Sequence, residues 1–180
     1  MDRRRWRARL RTVLTVALLL FVVTGFTACS LSLPGGGGPA AETDPELGAT
    51  ALRLLELVNG ARAEGRTCGS AGWFDATHPL ALEARLVRAA QGHSDDMYAN
   101  AFFDHTGSDG SSPADRVTRE GYTWAAVGET IAGGQATPEH AVSVWLASDG
   151  HCAIIMSTRY AELGAGETSL YWTLVFAHPR

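Results

Sequence analysis

Beyond residue 29 the chain is short of positive charge. It contains no lysine: all 15 basic residues are arginine, and six of them lie between Arg3 and Arg11. From Ser30 onward, nine arginines stand against 18 carboxylates, a formal charge of −9. Nucleic-acid binding rests on neutralising phosphates with basic residues, so an acidic domain of this kind is excluded from that class. It also lacks the polybasic patch that would hold it to anionic lipid by charge. A long hydrophobic run is missing too, because the apolar stretch from Val13 to Phe26 falls short of the roughly 20 residues a spanning helix needs. No internal repeat is visible. Neither a nucleophile elbow nor an oxyanion loop accompanies Ser148 and His151, so that pair does not read as a nucleophile with its base.

What is present begins with a basic segment, a short apolar one and then small residues, the pattern of an export signal over residues 1–28. Phe26-Thr27-Ala28-Cys29 resembles the cleavage box of bacterial lipoproteins, in which the cysteine becomes the lipidated first residue. A lipoprotein, a freely secreted protein and an uncleaved anchor stay open, and all three place the remainder outside the cytoplasm. Residues 29–45 read as a flexible tether, with the glycine run Gly35 to Gly38 flanked by Pro34, Pro39 and Pro45. Residues 46–180 suffice for one domain with its own core. If Cys29 is acylated, Cys68 and Cys152 are the only remaining pair, and an oxidising compartment allows either a bridge or two separate buried thiols.

Helical spacing of Leu47, Ala51, Leu54, Leu55 and Val58 predicts a first helix from about Pro45 to Ala63, with Asp44 as its cap. A second begins after Pro79, with Leu82, Leu86, Ala90, His93 and Met97 on one stripe. His93 on that stripe reads as a buried, hydrogen-bonded histidine. Ser112-Pro113-Ala114-Asp115 starts a short helix ending near Gly121, and Thr137-Pro138 starts another through Val142 and Trp145. The period then changes. Trp172, Leu174 and Phe176 alternate with Tyr171, Thr173 and Val175 as a strand. Ala161 to Glu167 is its antiparallel partner across a turn near Ser169, and Val127 to Ala132 is a further extended piece. The class is α+β.

Four stretches place histidine, glutamate or aromatic residues beside glycine or a helix end: Phe102 to Thr106, Gly128 to Ala132, Trp145 to His151, and Tyr171 to Thr173. Two imidazoles and a carboxylate suit a divalent metal or general acid–base work. Together with Val58-Asn59-Gly60-Ala61-Arg62, His93 to Met97, Phe103 to Gly110, and Arg116 with Gly121-Tyr122, their order resembles the CAP superfamily, the SCP-like extracellular proteins, and most of all its bacterial branch. The resemblance covers roughly residues 50–178.

It implies a three-layer α-β-α sandwich with a surface cleft and, in the bacterial branch, a bridge between Cys68 and Cys152. The family's tetrad of two histidines and two glutamates carries over to His105, Glu129 and His151. Ser148 stands where the second glutamate belongs. The implied function is an extracytoplasmic, envelope-attached domain that binds a lipid, cell-wall component or protein partner in the cleft lined by His105, Glu129, Ser148 and His151. Membrane contact would come through lipidated Cys29. His105, Glu129 and His151 are the candidate catalytic and metal-ligating residues, with Zn2+ or another divalent ion as cofactor. The alternatives are a metal-assisted, protease-like hydrolase using the same cleft and a passive structural module of the envelope.

Overall fold

The computed structural model describes residues 48–180. The export signal, Cys29, the tether and Asp44 lie outside the described residues, and the first helix starts at Ala49 behind Gly48 instead of near Pro45. Within them, helix α1 runs Ala49–Arg62 and is followed by a small hairpin of β1 (Arg66–Thr67) and β2 (Trp73–Phe74). Next come β3 (Ala81–Leu82), α2 (Ala84–Ala99), α3 (Pro113–Arg119) and β4 (Trp124–Gly133). Then α4 (Pro138–Ala147), α5 (Asp149–Met156), β5 (Glu162–Thr168) and β6 (Tyr171–Pro179) complete the order.

The main sheet has the order β3-β5-β6-β4. β6 pairs antiparallel with both β5 and β4, while β3 adds in parallel at the β5 edge. Alternation along β6 divides the core between two faces. Trp172, Leu174 and Phe176 pack with Leu54 and Val58 of α1, Trp145 of α4, and Cys152 and Ile155 of α5. Val175 and Ala177 point the other way, against Leu86 and Ala90 of α2 and Val117 of α3. The sheet is therefore covered by helices on both sides, the α+β class read from the sequence and the three-layer arrangement implied by the family resemblance.

The approach of α2 to the sheet is set by two glycines. A Cβ on Gly164 would sit 2.0 Å from the Leu86 carbonyl carbon, and one on Gly166 would sit 2.4 Å from the Gln91 backbone. Helix backbone rests directly on strand backbone there, which any side chain would forbid.

Capping follows the sequence signals at two helices. Ser112 and Asp115 form a reciprocal capping box at α3 behind Pro113, and Thr137 accepts from the His140 N–H at α4. Two expectations need correction. Leu82 does not belong to the second helix. The backbone N–H groups of Ala81 and Glu83 donate to the carbonyls of Ala161 and Leu163. This draws Leu82 into β3, and α2 starts only after Glu83, whose side chain accepts from the Arg85 N–H. The second is α5, which periodicity does not predict. It breaks from α4 at Ser148, whose backbone is extended (φ −94°, ψ 125°).

Tertiary ties hold α5 in place. Arg62, fully buried at the end of α1, donates through Nη1 to the carbonyls of Ile155 (2.6 Å) and Ser157 (2.9 Å), at the negative end of the α5 dipole. Burial pulls the Arg62 guanidinium down to about 10, still charged at neutral pH. The Asp149 carboxylate accepts from the Ser70 backbone N–H at 2.8 Å. Cys152 is bridged to Cys68 with Cα atoms 5.4 Å apart. The bridge joins positions 84 residues apart, and the chain-entropy model gives about 4 kcal/mol for a loop of that length. We predict that the Cys68→Ala/Cys152→Ala variant loses roughly 2–5 kcal/mol in urea unfolding and that reductant leaves its midpoint unchanged.

Candidate functional site

Glu129 lies on the edge strand β4, opposite Val175, on the face covered by α2 and α3. Its side chain is only 2% exposed. An ionised carboxylate in that position needs a partner, since the cost of burying it alone is prohibitive. The partner is Arg116 of α3, itself 9% exposed, whose Nη2 donates to Glu129 Oε2 at 2.7 Å. The same nitrogen donates to the His105 carbonyl at 3.1 Å, and Nη1 donates to the Ser111 carbonyl at 2.9 Å. One guanidinium thus holds the carboxylate and both ends of the 105–111 loop.

The approach to that loop is fixed from α2. His93 is fully buried, as its place on the helix stripe predicts, and its Nε2 donates to the Asp104 carbonyl at 2.9 Å. That nitrogen also lies 3.8 Å from Glu129 Oε1. Between these supports stands His105, with Nδ1 2.8 Å from Glu129 Oε1 and a side chain that is 48% exposed. A solvent-facing imidazole is therefore held from behind by a buried charge network.

The three histidines are driven apart in basicity. The hydrogen bond to Glu129, aided by its charge, raises His105 above the ordinary imidazole value of 6.5. Burial lowers His93, against the opposing pull of Glu129. His151, on α5, is lowered by burial and then by the charge of His105. That last effect places the two expected cleft histidines within electrostatic reach of each other.

The signs give opposite pH trends. The stabilisation His105 gains from Glu129 is present below about 6.5 and fades as pH rises through its raised folded value. The stability tied to neutral His151 is present above about 6.5 and is lost as pH falls through its lowered value.

Ser148 sits at the joint between α4 and α5. Its carbonyl accepts from the Cys152 N–H at 2.8 Å, and its hydroxyl makes no hydrogen bond among the described residues. The neighbouring Asp149 does not replace the missing acid, because its carboxylate is turned to Ser70. The expected metal set of His105, Glu129 and His151 is not assembled: among the described residues no three His, Cys, Asp or Glu side chains group to hold an ion. The reason lies in Glu129. One oxygen is taken by the His105 ring and the other by Arg116, and a guanidinium beside the carboxylate repels a divalent cation. The residues as arranged do not fit Zn2+.

His78, His140 and His178 are exposed and stand apart from this network. Trp145 and Trp172 are core residues whose indole N–H groups donate to the carbonyls of Ile131 and Gln135. Sequence reasoning missed Arg116 as a site residue. The signal was its place in α3, between the His105 and Glu129 motifs. His93 belongs to the site as well, as a loop anchor.

We predict that Arg116→Met, which strands Glu129 in the interior, costs about 3–5 kcal/mol. Arg119→Met breaks an ion pair whose partners are both half-exposed (58% and 50%), Arg119 with Asp109, and costs under about 1 kcal/mol. Urea denaturation of the two variants checks the ranking.

Residues 55–168 match the model of the cysteine-rich secretory protein (CAP) family. The chain is 35% identical over 126 residues to the uncharacterized protein YkwD of Bacillus subtilis, covering 69% of this chain and 45% of that one. It is 34% identical over 97 residues to the uncharacterized membrane protein YlbC of the same organism, covering 54% of this chain and 28% of that one. It therefore spans less than half the length of these curated relatives. Among solved structures it is similar to an extracellular protein containing an SCP domain from Bacillus anthracis (TM-score 0.62, 25% identity, 71% of this chain and 39% of that one). It shares its fold with a cysteine-rich secretory protein from Staphylococcus aureus (TM-score 0.55, 17% identity, 77% of this chain and 40% of that one). By sequence, by fold and by the ordered motifs around His105 and Glu129, the chain belongs to the cysteine-rich secretory protein (CAP) family.

Proposed function

We propose that this is an extracytoplasmic, envelope-attached CAP domain, residues 46–180, that binds an envelope ligand in the cleft bordered by His105, Glu129, Ser148 and His151. The observation that supports it is the half-exposed His105 ring backed by the buried Glu129–Arg116 pair. A polar group aimed at solvent and fixed from behind recognises a ligand with little ordering cost. Ser148 supplies no acid, and among the described residues no metal-ligating group forms, so binding is the leading reading. Attachment runs through the export signal of residues 1–28, an acylated Cys29 and the 29–45 tether. The extracellular SCP-domain relative from Bacillus anthracis supports the location.

One observation favours hydrolysis as a second reading. His105 is raised and His151 lowered, and titratable neighbours pushed in opposite directions suit a general acid and a general base. A hydrolase of this kind would release soluble fragments from cell walls with a bell-shaped pH dependence.

We predict that the purified protein co-sediments with isolated cell envelopes and that His105→Ala loses most of this binding without a change in melting temperature. Equal sedimentation of the variant would overturn the cleft reading, and fragment release lost in both His105→Ala and His151→Ala would replace it with hydrolysis. We further predict that Cys29→Ser moves the protein from the membrane to the soluble fraction. Retention of that variant in membranes would instead indicate an uncleaved anchor.

A further inference from the structure

The turn between β5 and β6 is built against local preference. Thr168 pairs with Tyr171 across a two-residue loop, Ser169–Leu170, in which both residues have positive φ (48° and 71°). Hairpin loops of this kind favour Asn-Gly, because side chains strain in the left-handed region. Leu170 is held there nonetheless, through its N–H to Glu167 Oε1 (2.7 Å) and its carbonyl to the Gly134 N–H (2.9 Å), and its side chain is 43% exposed. The third non-glycine residue with positive φ among the described residues, Ala101, precedes Phe102–Phe103 on the adjoining loop. Strained backbone that displays apolar side chains to water is a feature of sites, not of stability.

Three aromatic rings surround the turn. Tyr98 and Phe103 are each 54% exposed, and Tyr171 lies 6.4 Å from Tyr98 and 6.5 Å from Phe103, between ring centroids. Phe103 and Tyr171 border, with Gly133 and Gly134 as a floor, a hollow of about 390 Å³, within the usual range for a ligand pocket, and Tyr98 stands beside it against Tyr171. A Cβ on Gly133 would meet the Phe103 ring at 3.4 Å, so the floor stays bare. The Tyr98 and Tyr171 hydroxyls make no hydrogen bond among the described residues.

Charge selects among occupants. No arginine lines the hollow. Glu167 accepts from Leu170, Asp95 accepts from the Thr168 hydroxyl, and Asp104 follows Phe103. These acids repel anionic membrane and anionic polymers, and the −9 charge of the region from Ser30 onward opposes self-association. A neutral sugar suits these features: its apolar face rests on aromatic rings, and its hydroxyls meet the phenol of Tyr171.

We propose that Tyr98, Phe103, Leu170 and Tyr171 form a subsite for a neutral amino-sugar glycan of the cell wall. This inference rests on the envelope-binding reading and names its ligand class. Gly133 follows Glu129 by four residues on the same face of β4, about 13 Å along the strand. A glycan seated on the rings therefore extends toward His105.

The test uses the purified protein and the tetrasaccharide of β-1,4-linked N-acetylglucosamine, followed by calorimetry. Phe103→Ala and the double variant Ser169→Asn/Leu170→Gly should each weaken binding at least about tenfold. The double variant should also melt at or above the parent temperature, which separates lost contact from lost fold. Glycan binding unaffected by both ring-side variants overturns this subsite and leaves the His105 cleft reading standing. Absence of glycan binding, or binding to vesicles of phosphatidylcholine and phosphatidylglycerol in its place, overturns the assignment of ligand class.

Discussion

A buried carboxylate needs a buried cation, and the Glu129–Arg116 pair answers that need in a way that organises everything around it. Glu129 is placed by the edge strand β4 and Arg116 by the short helix α3, so the pair fixes the helix to the sheet at one point. Arg116 also donates to the carbonyls of His105 and Ser111, which converts a polar connection into a shaped loop. Such a pair is weak evidence for stability as such, since an apolar replacement of both partners is often neutral or better. Its contribution is position: the buried pair backs the His105 ring while that ring faces solvent.

His151 is held by different means. His151 rides on α5, a helix with little periodic signal of its own, clamped by the Cys68–Cys152 bridge, by Asp149 on Ser70 and by Arg62 on its last carbonyls. Charge therefore positions one histidine, and a covalent tie with backbone capping positions the other. The glycine pair Gly164 and Gly166 complements both by letting α2, with His93, lie close on the sheet. The aromatic hollow at the Ser169–Leu170 turn is a further stretch of surface, reached by Phe103 two residues before His105.

Much of this was legible in the chain. Helices carrying their own start signal, Ser112-Pro113 and Thr137-Pro138, stand where those signals place them, and the alternation from Tyr171 to Phe176 is the central strand. Leu82 misled because its spacing fits a helix, while the sheet edge offered its neighbours better hydrogen-bond partners. α5 was invisible because its stability is tertiary, with Gly150 in its first turn. The motifs that mark His105 and Glu129 belong to residues now found 2.8 Å apart. What they could not disclose was which cation Glu129 answers to. A sequence names the charges but not the pairings, and the cation beside Glu129 is Arg116.

The central claim is that the buried Glu129 sets the state of the exposed imidazole. Histidine-selective NMR titration of the parent and of Glu129→Gln tests it directly. The account predicts that His105 titrates above 6.5 and His151 below it in the parent, with His105 falling when the carboxylate is neutralised. Two imidazoles titrating together near 6.5, unmoved by Glu129→Gln, would contradict it.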